Sequence, residues 1–134
     1  MTTPSTLILL IGAVVGAVHT LEKNMHVLDS VTDFDSLDEQ ANQRLLSKHK
    51  MTVDRLDALV NMMRAAQADG ASSIRLDPMQ AHSINRAVLG QIAELDQSMA
   101  YFAQMGESEM VVRSFQKKIE ALHYAVFEAN SWIR

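Results

Sequence analysis

The chain has 134 residues, a formal net charge of −4, 48% hydrophobic residues and no cysteine. This length fits one compact domain with a modest core and argues against a two-domain enzyme. Without cysteine the chain has no disulfide, thiolate zinc site, iron–sulfur cluster or cysteine nucleophile. The mildly acidic balance argues against non-specific nucleic-acid binding, because no overall positive field attracts phosphates.

The first segment of the chain is uncharged and strongly apolar. No side chain from Met1 to Leu21 carries a formal charge, and residues 7–18 read LILLIGAVVGAV. The uncharged stretch approaches the roughly 20 residues that span a bilayer, but the continuous apolar part makes only about 18 Å of helix. Three interpretations fit: a membrane anchor, the buried centre of a helical assembly, or a signal peptide that lacks the usual basic residues before its apolar run.

Helix 1 is predicted to carry two contact faces. A heptad seam follows Leu7, Ile11, Val14, Val18, Leu21, Met25 and Leu28. Gly12 and Gly16 form a GxxxG pair roughly opposite this seam, and such pairs allow close approach of another helix. One face is expected to pack within the subunit, and the other to meet another copy or another apolar helix. The residues predicted at the oligomer or membrane interface are Gly12, Gly16, Val14, Val18 and Leu21.

Three further helices follow in chain order. Helix 2 is predicted over about residues 37–68, after a capping box at Ser36 and Glu39 and before Gly70. Helix 3 is predicted to begin at Pro78, after the N-cap Asp77, and to end at Gly106, and helix 4 begins near Glu107–Glu109. The predicted fold is all-α: an elongated four-helix antiparallel bundle of coiled-coil-like hairpins. We expect an apolar helical unit over residues 1–31 and a soluble three-helix bundle over residues 36–134.

Apolar residues at helical spacing define the predicted core of helices 2, 3 and 4. The seams are Leu46, His49, Val53, Leu56, Val60 and Met63 in helix 2, Ile84, Val88, Ile92, Leu95, Met99 and Phe102 in helix 3, and Val111, Phe115, Ile119, Leu122, Val126 and Ile133 in helix 4. The aromatic residues predicted to fill the core and its grooves are Tyr101, Phe102, Phe115, Tyr124 and Phe127. Trp132 is expected to pack at the terminus, with docking onto a partner or a membrane interface as the alternative.

A few polar groups remain as site candidates. His19 and His26 lie seven residues apart and are candidates for an interfacial or pH-sensing role. Three basic residues on one stripe of helix 2 are candidates for contact with anionic lipid or a partner, with a solvated face as the alternative: Arg44, Lys48 and Arg55. Glu120 and His123 have the Glu-x-x-His spacing of di-metal bundles, but a second copy of that pair is absent.

The chain contains no recognisable catalytic, phosphate-binding or metalloprotease motif. We therefore predict a non-catalytic, membrane-associated helical scaffold without cofactor or metal, which self-assembles or anchors a larger complex through helix 1. The expected partners are further copies of the chain, with membrane lipid and other subunits as candidates, and no nucleic acid. The alternatives are a soluble adaptor or chaperone-type module with helix 1 buried, and a secreted protein that inserts helix 1 into membranes.

Overall fold

The computed structural model describes the backbone of residues 6–31 and 36–133, and the side chains of residues 6–27 and 40–133. It contains four helices: α1 (Thr6–Val31), α2 (Ser36–Ala68), α3 (Pro78–Gln104) and α4 (Glu109–Asn130). The predicted all-α, four-helix antiparallel bundle with an apolar N-terminal helix is confirmed. The capping box predicted at Ser36 and Glu39 lies outside the described side chains, as does Leu28 of the helix 1 seam.

The ends of α2, α3 and α4 follow from local chemistry. Gly70 and Gly106 stand just beyond α2 and α3 with φ of 78°, a left-handed conformation that disfavours any side chain. Asp77 caps α3: its carboxylate accepts from the Gln80 backbone N–H at 2.8 Å, and the Gln80 side chain accepts from the Asp77 N–H at 3.0 Å. Ser108 caps α4 without a side-chain hydrogen bond.

Helix α1 contacts each of the other three helices. In addition, α3 packs against α4. Six of its side chains are buried: Leu7, Leu10, Ile11, Ala13, Val14 and Val18. The apolar helix and the three helices that follow it therefore share one core.

One end of this core is covered where the segment that precedes α3 contacts the C-terminal segment. The Leu76 N–H donates to the Trp132 carbonyl at 3.1 Å, and Leu76 pairs with Ile133 in an isolated parallel bridge. Leu76 is fully buried and Trp132 is 8% exposed. Trp132 thus packs at the terminus, where it covers the end of the apolar core.

Burial divides the molecule into a base and two arms. The base (residues 6–18, 56–92 and 120–133) contains every fully buried side chain of the described residues. Beyond it the seams continue, but their side chains are only half-buried: Leu21, Met25, Leu46, Val53, Leu95, Met99, Phe102, Phe115 and Ile119. These residues belong to the α1–α2 arm (residues 19–27 and 40–55) and the α3–α4 arm (residues 93–119). Each arm is a pair of helices that share a single seam.

Candidate interaction surfaces

The outward face of α1 is open and uncharged over its first turns. Gly12 and Gly16 are exposed, and a Cβ built on either would meet nothing within 4 Å. Ile8 and Thr20 lie one turn to either side and are also exposed. The Thr20 hydroxyl donates to the Gly16 carbonyl at 3.1 Å, which satisfies its polar group locally. We call these four residues the glycine face.

The structure separates the five residues predicted at the α1 interface. Val14 and Val18 are buried in the core of their own chain, and Leu21 is half-buried in the α1–α2 seam. They point away from Gly12 and Gly16 because residues two positions apart in an α-helix lie on different faces. Val14 and Val18 thus belong to the core of their own chain, and of the five predicted residues the two glycines are the exposed ones.

A cleft of about 320 Å³ lies between α1 and α2, beside the glycine face. Valines form its floor and polar side chains its rim: Val15, Val18 and Val60, with His19, Glu22, Asp57, Asn61 and Arg64. His19, one of the two candidate histidines, stands on this rim. His26 lies two turns further along α1, exposed and outside the cleft. The described part of α1 and α2 does not bring the two histidines into one site.

The three basic residues predicted on one stripe of α2 lie on the exposed surface of the α1–α2 arm. Arg44, Lys48 and Arg55 are all exposed, and Met51 between them is 58% exposed. Their spacing of four, three and four residues puts them on one side of the helix. We call these four residues the basic stripe. The sequence predicted the three charged residues, and the structure shows that the methionine between them is also exposed.

The prediction that five aromatic residues fill the core is wrong for three of them. Phe102 and Phe115 are half-buried and stack with ring centroids 5.6 Å apart. Tyr101, Tyr124 and Phe127 are exposed, and Phe127 keeps 77% of its surface in contact with solvent. For Tyr124 and Phe127 the reason is the number of neighbours: within the described residues α4 packs mainly on α3 and α1, and its outer side is exposed. Helical spacing alone does not predict the exposure of these side chains.

The remaining polar candidates do not converge. His49 is half-buried, and its Nδ1 lies 3.0 Å from the Leu45 carbonyl oxygen of the preceding turn. Glu120 and His123 are both exposed on α4. Among the described residues, no three His, Asp or Glu side chains come together as a potential metal site. The geometry thus offers surfaces for contact rather than a set of converging reactive groups.

Residues Thr6–Val27 of α1 are long and apolar enough to cross a membrane, and this is the one such segment in the described parts of the chain. A core helix of a soluble protein and a signal sequence meet the same criterion. Here 28% of the apolar window is buried inside the bundle.

Comparison of the chain with protein-family models, with curated proteins and with solved structures gave no match.

Proposed function

We propose that this chain is a non-catalytic helical assembly protein that self-associates through the glycine face of α1. The observation that carries the proposal is that two glycines stand four residues apart in the middle of a 26-residue helix, in open space. Glycine in a helix interior costs about 1 kcal/mol relative to alanine. What distinguishes this pair from a single exposed helix glycine is its four-residue spacing on one open ridge, and this spacing supports the proposal.

The described part of the chain gives these two glycines no internal role. The glycines with positive φ are Gly70 and Gly106, so Gly12 and Gly16 serve no turn. Apart from the helix's own backbone, no atom of the described residues lies within 4 Å of their Cβ positions, so these residues show no close contact there. Close approach of a second helix would use both, because two small residues one turn apart let helix backbones come together.

The arrangement of the glycine face suits a symmetric contact between two copies. Ile8, Gly12, Gly16 and Thr20 follow one another at intervals of four residues and form a ridge along α1. Ridges of this spacing pack against each other at about −50°. In a two-fold dimer the same ridge of each copy would meet at the glycines, which is an isologous interface. Ile8 would supply apolar area beside the crossing point.

The contact is proposed for the folded bundle, with α1 in place. Six side chains on the inner face of α1 belong to the shared core. Moving α1 alone into a bilayer would expose the residues against which they pack, such as Ile84 and Leu122, at about 25 cal/mol for each Å² of apolar surface. We therefore favour an assembly protein whose α1 stays in the bundle.

A membrane-associated scaffold is the second candidate, and a specific observation favours it. The apolar window of α1 has the length and composition of a membrane span, and its outer side carries no charge before Glu22. Extraction of membranes with carbonate separates the two candidates. Full-length untagged protein is expected in the soluble fraction, whereas retention in the washed pellet would favour the membrane scaffold.

The test of self-association uses a matched pair of variants. Gly12→Leu/Gly16→Leu is expected to lower the mass of the assembly in light scattering, with unchanged helical circular dichroism. Gly90 is a mid-helix glycine of α3 that is likewise exposed and has nothing within 4 Å of its Cβ position. Gly90→Leu is the control and should leave the mass of the assembly unchanged. A wild-type chain that stays monomeric at high concentration, or a double variant of unchanged mass, would refute the proposal.

A further inference from the structure

The end of the α3–α4 arm carries an apolar and acidic surface. Met105 and Met110 are 66% and 82% exposed at the turn between the two helices, and Tyr101 is exposed one turn below. Glu107 and Glu109 stand beside them and are also exposed. We call these five residues the acidic tip. Large uncovered side chains at the end of an arm are typical of a surface that meets another molecule.

The acidic tip is held in a defined shape. The Tyr101 ring meets Phe102 edge-on with centroids 5.5 Å apart, and Phe102 stacks on Phe115 across the arm. The backbone N–H groups of Met105 and Glu107 donate to the carbonyls of Tyr101 and Phe102 at 3.0 and 3.1 Å. These contacts fix the Tyr101 ring and the backbone of the turn, which lowers the entropic cost of docking for that part of the surface.

The basic stripe has a matching composition with the opposite charge. Arg44, Lys48 and Arg55 flank Met51 over about 17 Å of helix. Within the described residues, none of the three cations forms an ion pair, and neither does Glu107 or Glu109. Each surface thus combines uncovered methionine with unpaired charge of one sign. Opposite charges on two such surfaces favour association and set its register.

We propose that the acidic tip of one copy docks on the basic stripe of a second copy. Met105 and Met110 would lie against Met51, and Glu107 and Glu109 would pair with the cations on either side. A second copy is the occupant that the structure supports, because the chain itself carries an exposed surface with methionine and the opposite charge. The contact is independent of the glycine face, since no residue of either surface lies on α1.

The symmetry of this contact differs from that of the glycine face. Tip and stripe are different surfaces, so each copy offers one of each and the contact is heterologous. Repetition of a heterologous contact produces either a closed ring or an open filament. Together with a two-fold contact through α1, it would let a small chain build an extended assembly.

Reciprocal charge reversal tests the pairing. The background is full-length Gly12→Leu/Gly16→Leu, so that contact through α1 does not contribute. A stripe variant (Lys48→Glu/Arg55→Glu) and a tip variant (Glu107→Lys/Glu109→Lys) should each self-associate at least about tenfold more weakly in sedimentation equilibrium, because like charges face each other. An equimolar mixture of the two variants should recover the assembly, because opposite charges meet again in alternating copies.

Two controls carry the same charge changes elsewhere. Lys117→Glu/Lys118→Glu and Glu94→Lys/Asp96→Lys alter exposed residues outside both surfaces, and they should leave self-association unchanged. Failure of the mixture to recover, or equal weakening by the controls, would overturn the proposal. It would also be overturned if the stripe variant lost only its binding to phosphatidylserine vesicles, which would identify a lipid surface. Recovery in the mixture together with an unchanged mass of Gly12→Leu/Gly16→Leu would refute the glycine face alone.

Discussion

The base and the two arms have the same apolar periodicity in sequence but differ in burial. Leu56, Val60 and Met63 of α2 are buried, whereas Leu46 and Val53 on the same seam are only half-buried. Within the described residues α1 contacts all three other helices, and the buried side chains of α1 lie in the base. We attribute the difference in burial to this packing. Periodicity specifies which side of a helix is apolar, and the tertiary packing decides how much of that side is covered.

The largest expected effect is a loss of stability on truncating a leucine in the base. We compare it with the same truncation in an arm. Leu10 is fully buried, so Leu10→Ala removes core contacts and leaves a cavity, and it should lower the free energy of unfolding by about 3 kcal/mol. Leu95 is half-buried, and Leu95→Ala should cost about 1 kcal/mol. Urea unfolding followed by circular dichroism measures both. Equal losses would mean that the arms are covered as fully as the base.

The helix termini and seams were predictable from sequence because their signals are local. The Asp77 cap, the glycines after α2 and α3, and the order of buried residues in each seam all depend on neighbours within one or two turns. The exposure of Tyr124 and Phe127 depends instead on whether another helix covers α4, and no local pattern reports that. The same holds for the candidate site: GxxxG marked the glycines, but their neighbours Val14 and Val18 belong to the opposite face.

The second comparison uses the two glycines of positive φ, one in the base and one at the end of an arm. Gly70→Ala and Gly106→Ala each place a side chain in the left-handed region, which costs about 1–2 kcal/mol locally. Trp132 lies in the base and is the single tryptophan, so its fluorescence reports unfolding of the base. We expect Gly70→Ala to lower the free energy of unfolding, measured by Trp132 fluorescence, by about 1–2 kcal/mol.

Gly106→Ala should affect mainly the arm. We expect faster amide hydrogen exchange in residues 93–119, with a smaller change in the unfolding that Trp132 reports, because a two-helix arm opens at lower free energy than the base. Equal shifts of both variants in tryptophan fluorescence would show that base and arm unfold as one unit.

A smaller difference in stability is expected between variants of two helix N-caps. Asp77 in the base accepts a hydrogen bond from the Gln80 backbone, and Asp77→Ala should cost about 1 kcal/mol. Ser108 caps α4 without a side-chain hydrogen bond, so Ser108→Ala should change stability by no more than about 0.3 kcal/mol. Thermal unfolding of both variants checks the pair. A loss at Ser108 as large as that at Asp77 would show that the hydroxyl contributes a cap in solution.

The smallest expected effect tests the proposed self-association through α1 against a control glycine in α3. Gly16→Ala and Gly90→Ala both fill open space in a helix interior, so each should stabilise the dilute monomer by about 0.5–1 kcal/mol. Self-association adds stability that grows with protein concentration, because a partner binds the folded state alone. Gly16→Ala should weaken that concentration dependence of the melting temperature, since its methyl group separates the two helices at their crossing point. Gly90→Ala should retain it, and the same response from both variants would mean that the glycine face has no partner.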